Sequence, residues 1–177
     1  MAARSDALVV DHDERWARDF RLIRDRLWPV VAGSAVAVEH VGSTAVPGLA
    51  AKPVIDVDVV VADPDRVGPV VTALASIGHA HLGDLGIPGR EAFSSAPGLP
   101  PHHLYVVVLG SAPYRDHVDL RDHLRAHPGS AARYAAEKRR LAPLLATDRE
   151  AYVRGKAWLV AELLAAARAG RPPVTPP

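Results

Sequence analysis

The stretch from Val38 to Ala62 constrains this chain more than any other. It reads as a short strand, a Gly-Ser turn, a loop of small residues and a second strand, Ile-Asp-Val-Asp-Val-Val-Val over positions 55–61. Side chains alternate faces along a strand, so Asp56 and Asp58 share one face while Ile55, Val57 and Val59 take the other. Two carboxylates about 6–7 Å apart on one strand repel each other unless a cation sits between them. The near-continuous apolar run beside them predicts a strand deep in a sheet, covered on its far face.

The rest of the chain reads as alternating elements around that unit. Acidic residues Asp11, Asp13 and Glu14 open a first helix, whose stripe is Trp16, Phe20, Ile23 and Leu27 and whose end is expected at Pro29. Strands are predicted over Val36–Val41, Pro53–Val61 and His103–Leu109, the last ended by Gly110. Asp63-Pro64 starts a second helix from Asp65 to about Ile77, stopped by Gly78. Between His79 and Gly98 glycine and proline dominate and predict loops, with a short strand beginning at Ala92 and Phe93. The glycines at 83, 86 and 89 are three apart and do not make the dinucleotide fingerprint G-x-G-x-x-G.

Beyond Gly110 the pattern is helical. One helix is expected over Tyr114–His127, stopped by Pro128-Gly129, and another over Ser130–Leu145, bent near Pro143. Thr147-Asp-Arg-Glu150 reads as a capping box for a last helix. Trp16, Phe20 and Trp158 are expected in the core. No linker or repeat divides the chain. The expectation is one domain over 1–169, with a sheet-containing core at about 8–110, a helical part at about 112–169 and a disordered tail over 170–177.

Composition narrows the function classes. With 177 residues the chain is long enough to bury roughly 70% of its unfolded surface. The net charge of +1 gives no field that would draw nucleic acid or an anionic membrane. Absence of cysteine excludes disulfides, thiolate zinc sites and a cysteine nucleophile. No apolar run reaches membrane-spanning length and the start lacks a signal-peptide core, so a cytoplasmic location is expected.

The chemistry gathers at the opening stretch. A glycine turn lets backbone N–H groups approach an anion, and Ser43 and Thr44 add hydroxyl donors. The twelve residues between Ser43 and Asp56 suffice to bring the chain back alongside the first strand. Turn and carboxylates would then face one pocket, with phosphate on the turn and Mg²⁺ joining it to Asp56 and Asp58. Hard oxygen ligands favour magnesium over zinc, with Mn²⁺ as the alternative. Lys52 at the strand entrance, Arg90 in the glycine-rich loop, and Lys138 and Lys156 on the later helices are candidate phosphate contacts. Lys138 and Lys156 each follow a tyrosine by four residues, so a lysine lying over an aromatic ring is the competing reading for both. For His79-x-His81 surface histidines are the expectation, rather than a zinc site.

Gly42-Ser43 with Asp56-Val57-Asp58 resembles the signature of the nucleotidyltransferase superfamily. Within it, the run from Glu39 to Asp56 closely resembles the GrpB family. The likeness continues through Gly86–Glu91, His102-His103-Leu104, Leu120–Pro128, Tyr134–Lys138 and Tyr152–Lys156, about Val9 to Leu164 in all. The resemblance implies an α/β fold, a nucleotidyltransferase-like mixed sheet flanked by helices with a helical C-terminal part. It implies transfer of a nucleoside monophosphate, AMP from ATP or the equivalent from another NTP, to a small-molecule or protein acceptor. Adenylation coupled to ligation is a related expectation. It also raises Arg121 and Asp122 above ordinary surface charges.

The chain departs from the expected pattern in two respects. The strand over 102–109, where the superfamily generally places a third carboxylate, has no acidic residue. Tyr105 also stands where the family often has the second histidine of His-x-His. His103 is therefore the candidate third ligand or general base, with Glu91 as its rival. The departure motivates a second expectation, a nucleotide-binding or regulatory module with impaired catalysis.

Overall fold

The computed structural model describes residues 8–170, so the tail expected to be disordered lies almost wholly outside the described residues. The architecture is α/β: one five-stranded mixed sheet with helices on both faces. The strands are β1 (Ala35–Val41), β2 (Ile55–Val61), β3 (His81–Gly83), β4 (Arg90–Phe93) and β5 (His102–Val108), in spatial order β1-β2-β5-β4-β3. β2 runs antiparallel to β1 and parallel to β5, while β4 is antiparallel to both β5 and β3. The strand carrying both aspartates is thus internal, as its valine-rich run predicts.

Register sorts the two faces. Val57 pairs with His40 and Leu104, and Val59 with Val38 and Val106, on a face covered by α1 (Arg15–Val31) and α2 (Val67–Ser76). Ile23, Leu27, Val31, Val70 and Leu74 fill that layer together with Ile55, Val57, Val59 and Phe93. The opposite face presents Glu39, Asp56, Asp58, His103 and Tyr105 toward α3 (Ala112–Ala126), α4 (Pro128–Leu141) and α5 (Arg149–Ala169). A second apolar cluster on that side joins Val46, Leu49 and Ala50 of the β1–β2 loop to Leu124, Tyr134, Leu159 and Leu163. No helix among the described residues is long and apolar enough to cross a membrane.

Several local expectations are corrected. α1 continues through Pro29 to Val31. The ring removes one hydrogen bond in the last turn, but Leu27 and Val31 extend the buried stripe and hold it helical. α3 ends at Ala126, just ahead of Pro128 as expected, but Pro128 also opens α4, two residues before the expected Ser130, at a position where a missing N–H costs nothing. Asp148, not Thr147, caps α5, accepting the Ala151 N–H at 2.8 Å. The segment 79–98 holds two short strands, and Phe93 ends one of them rather than beginning it. Trp16 is buried, but Trp158 is 53% exposed, with Arg133 5.4 Å over its ring. Phe20 is only partly buried and stacks on His40.

Candidate functional site

β1 ends at Val41, and Gly42 turns the chain directly over β2 with φ +68° and ψ −168°, a conformation open only to glycine. Close approach makes the requirement absolute. A Cβ added at Gly42 would lie 2.1 Å from Asp56 Oδ2. The chain then forms a single 3₁₀ turn over Ser43–Ala45, which presents Ser43 to a cavity and buries Thr44. Arg125 of α3 clamps this turn by donating to the Ala45 carbonyl at 2.7 and 3.0 Å.

Each aspartate is held by a histidine. His103 Nδ1–H donates to Asp56 Oδ1 at 2.8 Å, and His117 Nδ1–H of α3 donates to Asp58 Oδ2 at 2.8 Å. Burial works to raise the Asp56 carboxyl, but the His103 bond and the charges of His103, His117 and Lys156 prevail and lower it. Asp58 is 0% exposed; there burial prevails over the His117 bond and the carboxyl is raised. Burial would lower His117, yet the bond to Asp58 and the two carboxylate charges raise it. Asp58 Oδ1 is buried with no hydrogen-bond partner among the described residues.

Two adjoining cavities, about 200 and 170 Å³, meet at a wall made by Ser43, Asp56 and Lys156. The first is cationic, with Lys52, Lys138, Lys156 and Arg149 around Asp56 and His103. The second is more apolar and aromatic, with Tyr105, Tyr134, Leu120 and Leu124 beside Gly42, His117 and Arg121. Lys138 is 2% exposed and donates to Ser43 Oγ at 2.9 Å and to the Ala50 carbonyl, tying α4 to the turn. Burial and the neighbouring Lys156 lower its pKa to about 7. Burial would lower Lys156 as well, but Tyr134, Tyr152 and Asp56 outweigh it and the lysine is raised. Lysine over aromatic ring and lysine facing the cleft turn out to be one arrangement: Lys138 lies 4.6 Å over Tyr134, and Lys156 5.5 Å over Tyr152.

The structure therefore brings Gly42, Ser43, Thr44, Lys52, Asp56, His103, Arg121, Lys138 and Lys156 to the two cavities, with Asp58 buried beneath. Thr44 Oγ1 bonds to His40 Nε2 at 3.0 Å, and burial lowers that imidazole to about 4. Arg121 is engaged by Glu39 at 2.8 Å, the His40 carbonyl and Asp122. Arg90 lines neither cavity and instead covers the Tyr105 ring at 4.4 Å. Glu91, on the far face of the sheet, pairs with His81 at 2.6 Å and is not a rival to His103. His79 is buried and bonds to the Ser94 carbonyl, away from His81. Sequence reading missed His117, Arg149, Tyr105 and Tyr134 as lining residues; a histidine on the inward face of α3, two turns before Leu124, was the available signal for His117.

The donor set fits a hard divalent cation. Asp58 offers an unused buried oxygen, and Asp56 stands beside a turn suited to phosphate. Among the described residues no group of three or more His, Asp or Glu is arranged to hold a metal.

Comparison with known proteins agrees with this geometry. The family model described as GrpB protein matches residues 7–166. The UPF0157 protein PA4798 of Pseudomonas aeruginosa is 36% identical over 91% of this chain and 67% of its own length. The UPF0157 protein YqkA of Bacillus subtilis is 32% identical over 84% of this chain, which spans only 43% of that relative. The crystal structure of the conserved protein GrpB from Enterococcus faecalis superposes with a TM-score of 0.80 at 27% identity, covering 90% of this chain and 96% of that one. The Cid1 poly(U) polymerase bound to MgGTP matches with a TM-score of 0.52 at 15% identity over 73% of this chain and 42% of that one, a likeness of fold alone. The five-stranded mixed sheet, the Gly-Ser turn folded over Asp56 and the match along nearly the whole chain together place this protein in the GrpB family, with a nucleotidyltransferase-like fold.

Proposed function

We propose that this chain is a Mg²⁺-dependent nucleotidyltransferase that moves a nucleoside monophosphate, AMP from ATP, to a small-molecule or protein acceptor in the cytoplasm. The observation that carries the reading is the wall of Ser43, Asp56 and Lys156 between a cationic and an aromatic cavity, with Gly42 packed on the carboxylate. In the reaction an acceptor oxygen forms a bond to the α-phosphorus, the bond from that phosphorus to the pyrophosphate oxygen breaks, and the acceptor proton passes to a base. Asp56 and Asp58 would hold the ion, which when bound neutralises charge on the phosphoryl group being transferred. Ser43 and the Gly42 turn bind phosphate, and Lys52, Lys138 and Lys156 stabilise the departing pyrophosphate. His103, fixed through Nδ1 by Asp56, directs its Nε2 lone pair away from the carboxylate and is assigned as proton acceptor.

Incubation with each α-labelled NTP, Mg²⁺ and fractionated cell extract tests this. A labelled product that disappears with Asp56→Asn is expected; no product with any of the four NTPs would end the enzyme reading. One observation favours a second reading. β5 places Tyr105, not a carboxylate, opposite Asp58. A nucleotide-binding regulatory module would bind NTP tightly and turn over none.

A further inference from the structure

Arg149 is the first residue of α5 and lines the cationic cavity. Its surroundings differ from those of the arginines that sit in ion pairs. Arg121, Arg133, Arg139, Arg154 and Arg168 each pair with a carboxylate, whereas Arg149 has none among the described residues. Its recorded contact is to His103, Nη2 to Nε2 at 3.4 Å, a long and weak hydrogen bond. The same cavity collects three lysines, and Asp56, already bonded to His103, is its one carboxylate.

Concentrating Lys138, Lys156 and Arg149 around one carboxylate already bonded to His103 is unfavourable unless a polyanion enters. Lys138 reports the strain, since burial and Lys156 drive it toward neutrality. A single phosphate on the Gly42–Ser43 turn would be met by Lys138, which already contacts Ser43. Arg149 reaches the cavity from the other side, next to His103, and a one-phosphate ligand on the turn leaves it without an anion. A guanidinium is also the side chain whose planar fork matches terminal phosphate oxygens in two parallel bonds.

We propose that Arg149 is the specificity-determining residue that grips the terminal phosphates of the bound nucleotide and makes the cleft select triphosphates over monophosphates. The proposal rests on the cleft being a nucleotide site, as inferred above, but not on transfer taking place. On binding, Arg149 exchanges its weak contact with His103 for charge-assisted bonds to phosphate. The recognition element is the polyphosphate itself, so inorganic tripolyphosphate is a ligand without any nucleoside attached.

Titration calorimetry with ATP, AMP and inorganic tripolyphosphate in Mg²⁺ buffer decides the matter, using the full chain and the variants Arg149→Met, Arg149→Lys and Arg154→Met. The wild type should bind ATP and tripolyphosphate at least tenfold more tightly than AMP. Arg149→Met should weaken ATP and tripolyphosphate binding by about tenfold, shrinking that preference, and leave AMP binding within about twofold, with Arg149→Lys in between. Arg154, five residues further on and paired with Glu150, is the surface control and its variant should behave as wild type. Equal affinity of the wild type for ATP and AMP overturns the proposal, as does an Arg149→Met protein, folded by its thermal transition, that keeps the triphosphate preference. Arg149-dependent tripolyphosphate binding without any transfer would sink the transferase reading and leave this one standing. Transfer with the preference intact in Arg149→Met would do the reverse.

Discussion

Gly42 concentrates the logic of the site in one residue. Its backbone lies in a region essentially reserved for glycine, and its missing side chain is the space that Asp56 occupies. Alanine there would meet both penalties together. The backbone strain alone is of order 1–3 kcal/mol, and the 2.1 Å overlap with Asp56 Oδ2 must be relieved by moving the carboxylate. Gly42→Ala is therefore expected to lower the urea midpoint by that order of stability and to remove Mg²⁺-dependent nucleotide binding, measured by chemical denaturation and calorimetry. A variant that loses stability but binds nucleotide normally would show that Asp56 is not required where it stands. The same residue-scale view separates the two Asp–His pairs. Asp56 faces the cavities and is accessible, whereas Asp58 is sealed beneath and keeps one oxygen unpaired.

At the scale of elements, the start of α5 matters most among the helices on the cleft side because it carries Arg149. Thr147 through Glu150 resembles a capping box, but the accepting side chain is Asp148, which takes the Ala151 N–H. Asp148→Ala should then cost about 1 kcal/mol, and Thr147→Ala a few tenths at most, in paired urea titrations. The reverse order would restore the capping-box reading. α1 makes the complementary point. Proline is a strong local stop, yet burial of Leu27 and Val31 against the sheet outweighs the loss of one backbone bond in the last turn. The two short strands of 79–98 escape local reading for a related reason. They are held by pairing of Ala92 with Tyr105 and of His81 with Phe93, contacts that no local propensity encodes.

For the molecule as a whole, the sheet layer and the helical layer meet through the cleft, and Lys138 is the buried bond between them. Its folded pKa of about 7 lies below the ordinary lysine value of 10.5, so the charged form is the one the fold disfavours. Below about pH 7 the lysine is charged in both states and its burial penalty is present in full. Between that pH and about 10.5 the unfolded chain holds more protons, and stability rises with pH by up to about 1.4 kcal/mol per unit. Urea unfolding at pH 7, 8 and 9 should show this rise in the wild type, and the difference between wild type and Lys138→Met should narrow or change in step with it. A pH-independent difference would mean that Lys138 keeps an ordinary pKa. Bound polyphosphate, by supplying negative charge beside Lys138, should flatten the slope.

How much of this was legible beforehand follows from where the information is stored. The alternation of Asp56 and Asp58 with valines, the glycine before Ser43 and the apolar stripe of α1 are local patterns, and the period of a strand or helix turns them directly into faces. They marked the internal strand and the Gly42–Ser43 turn that meets Asp56 at the cleft. Which histidine holds which carboxylate was not local. His103 meets Asp56 through the parallel register of β5 on β2, and His117 reaches Asp58 from a helix 59 residues away. Arg90 and Glu91, adjacent in sequence, fall on opposite faces because β4 is a strand and not a loop. The exposure of Trp158, the placing of Arg149 beside His103 and the division of the cleft into a cationic and an aromatic cavity were likewise decided by how α3, α4 and α5 dock on the sheet. Short-range sequence fixes backbone period and turn chemistry; the partners of a charged side chain are chosen only when distant segments are packed against it.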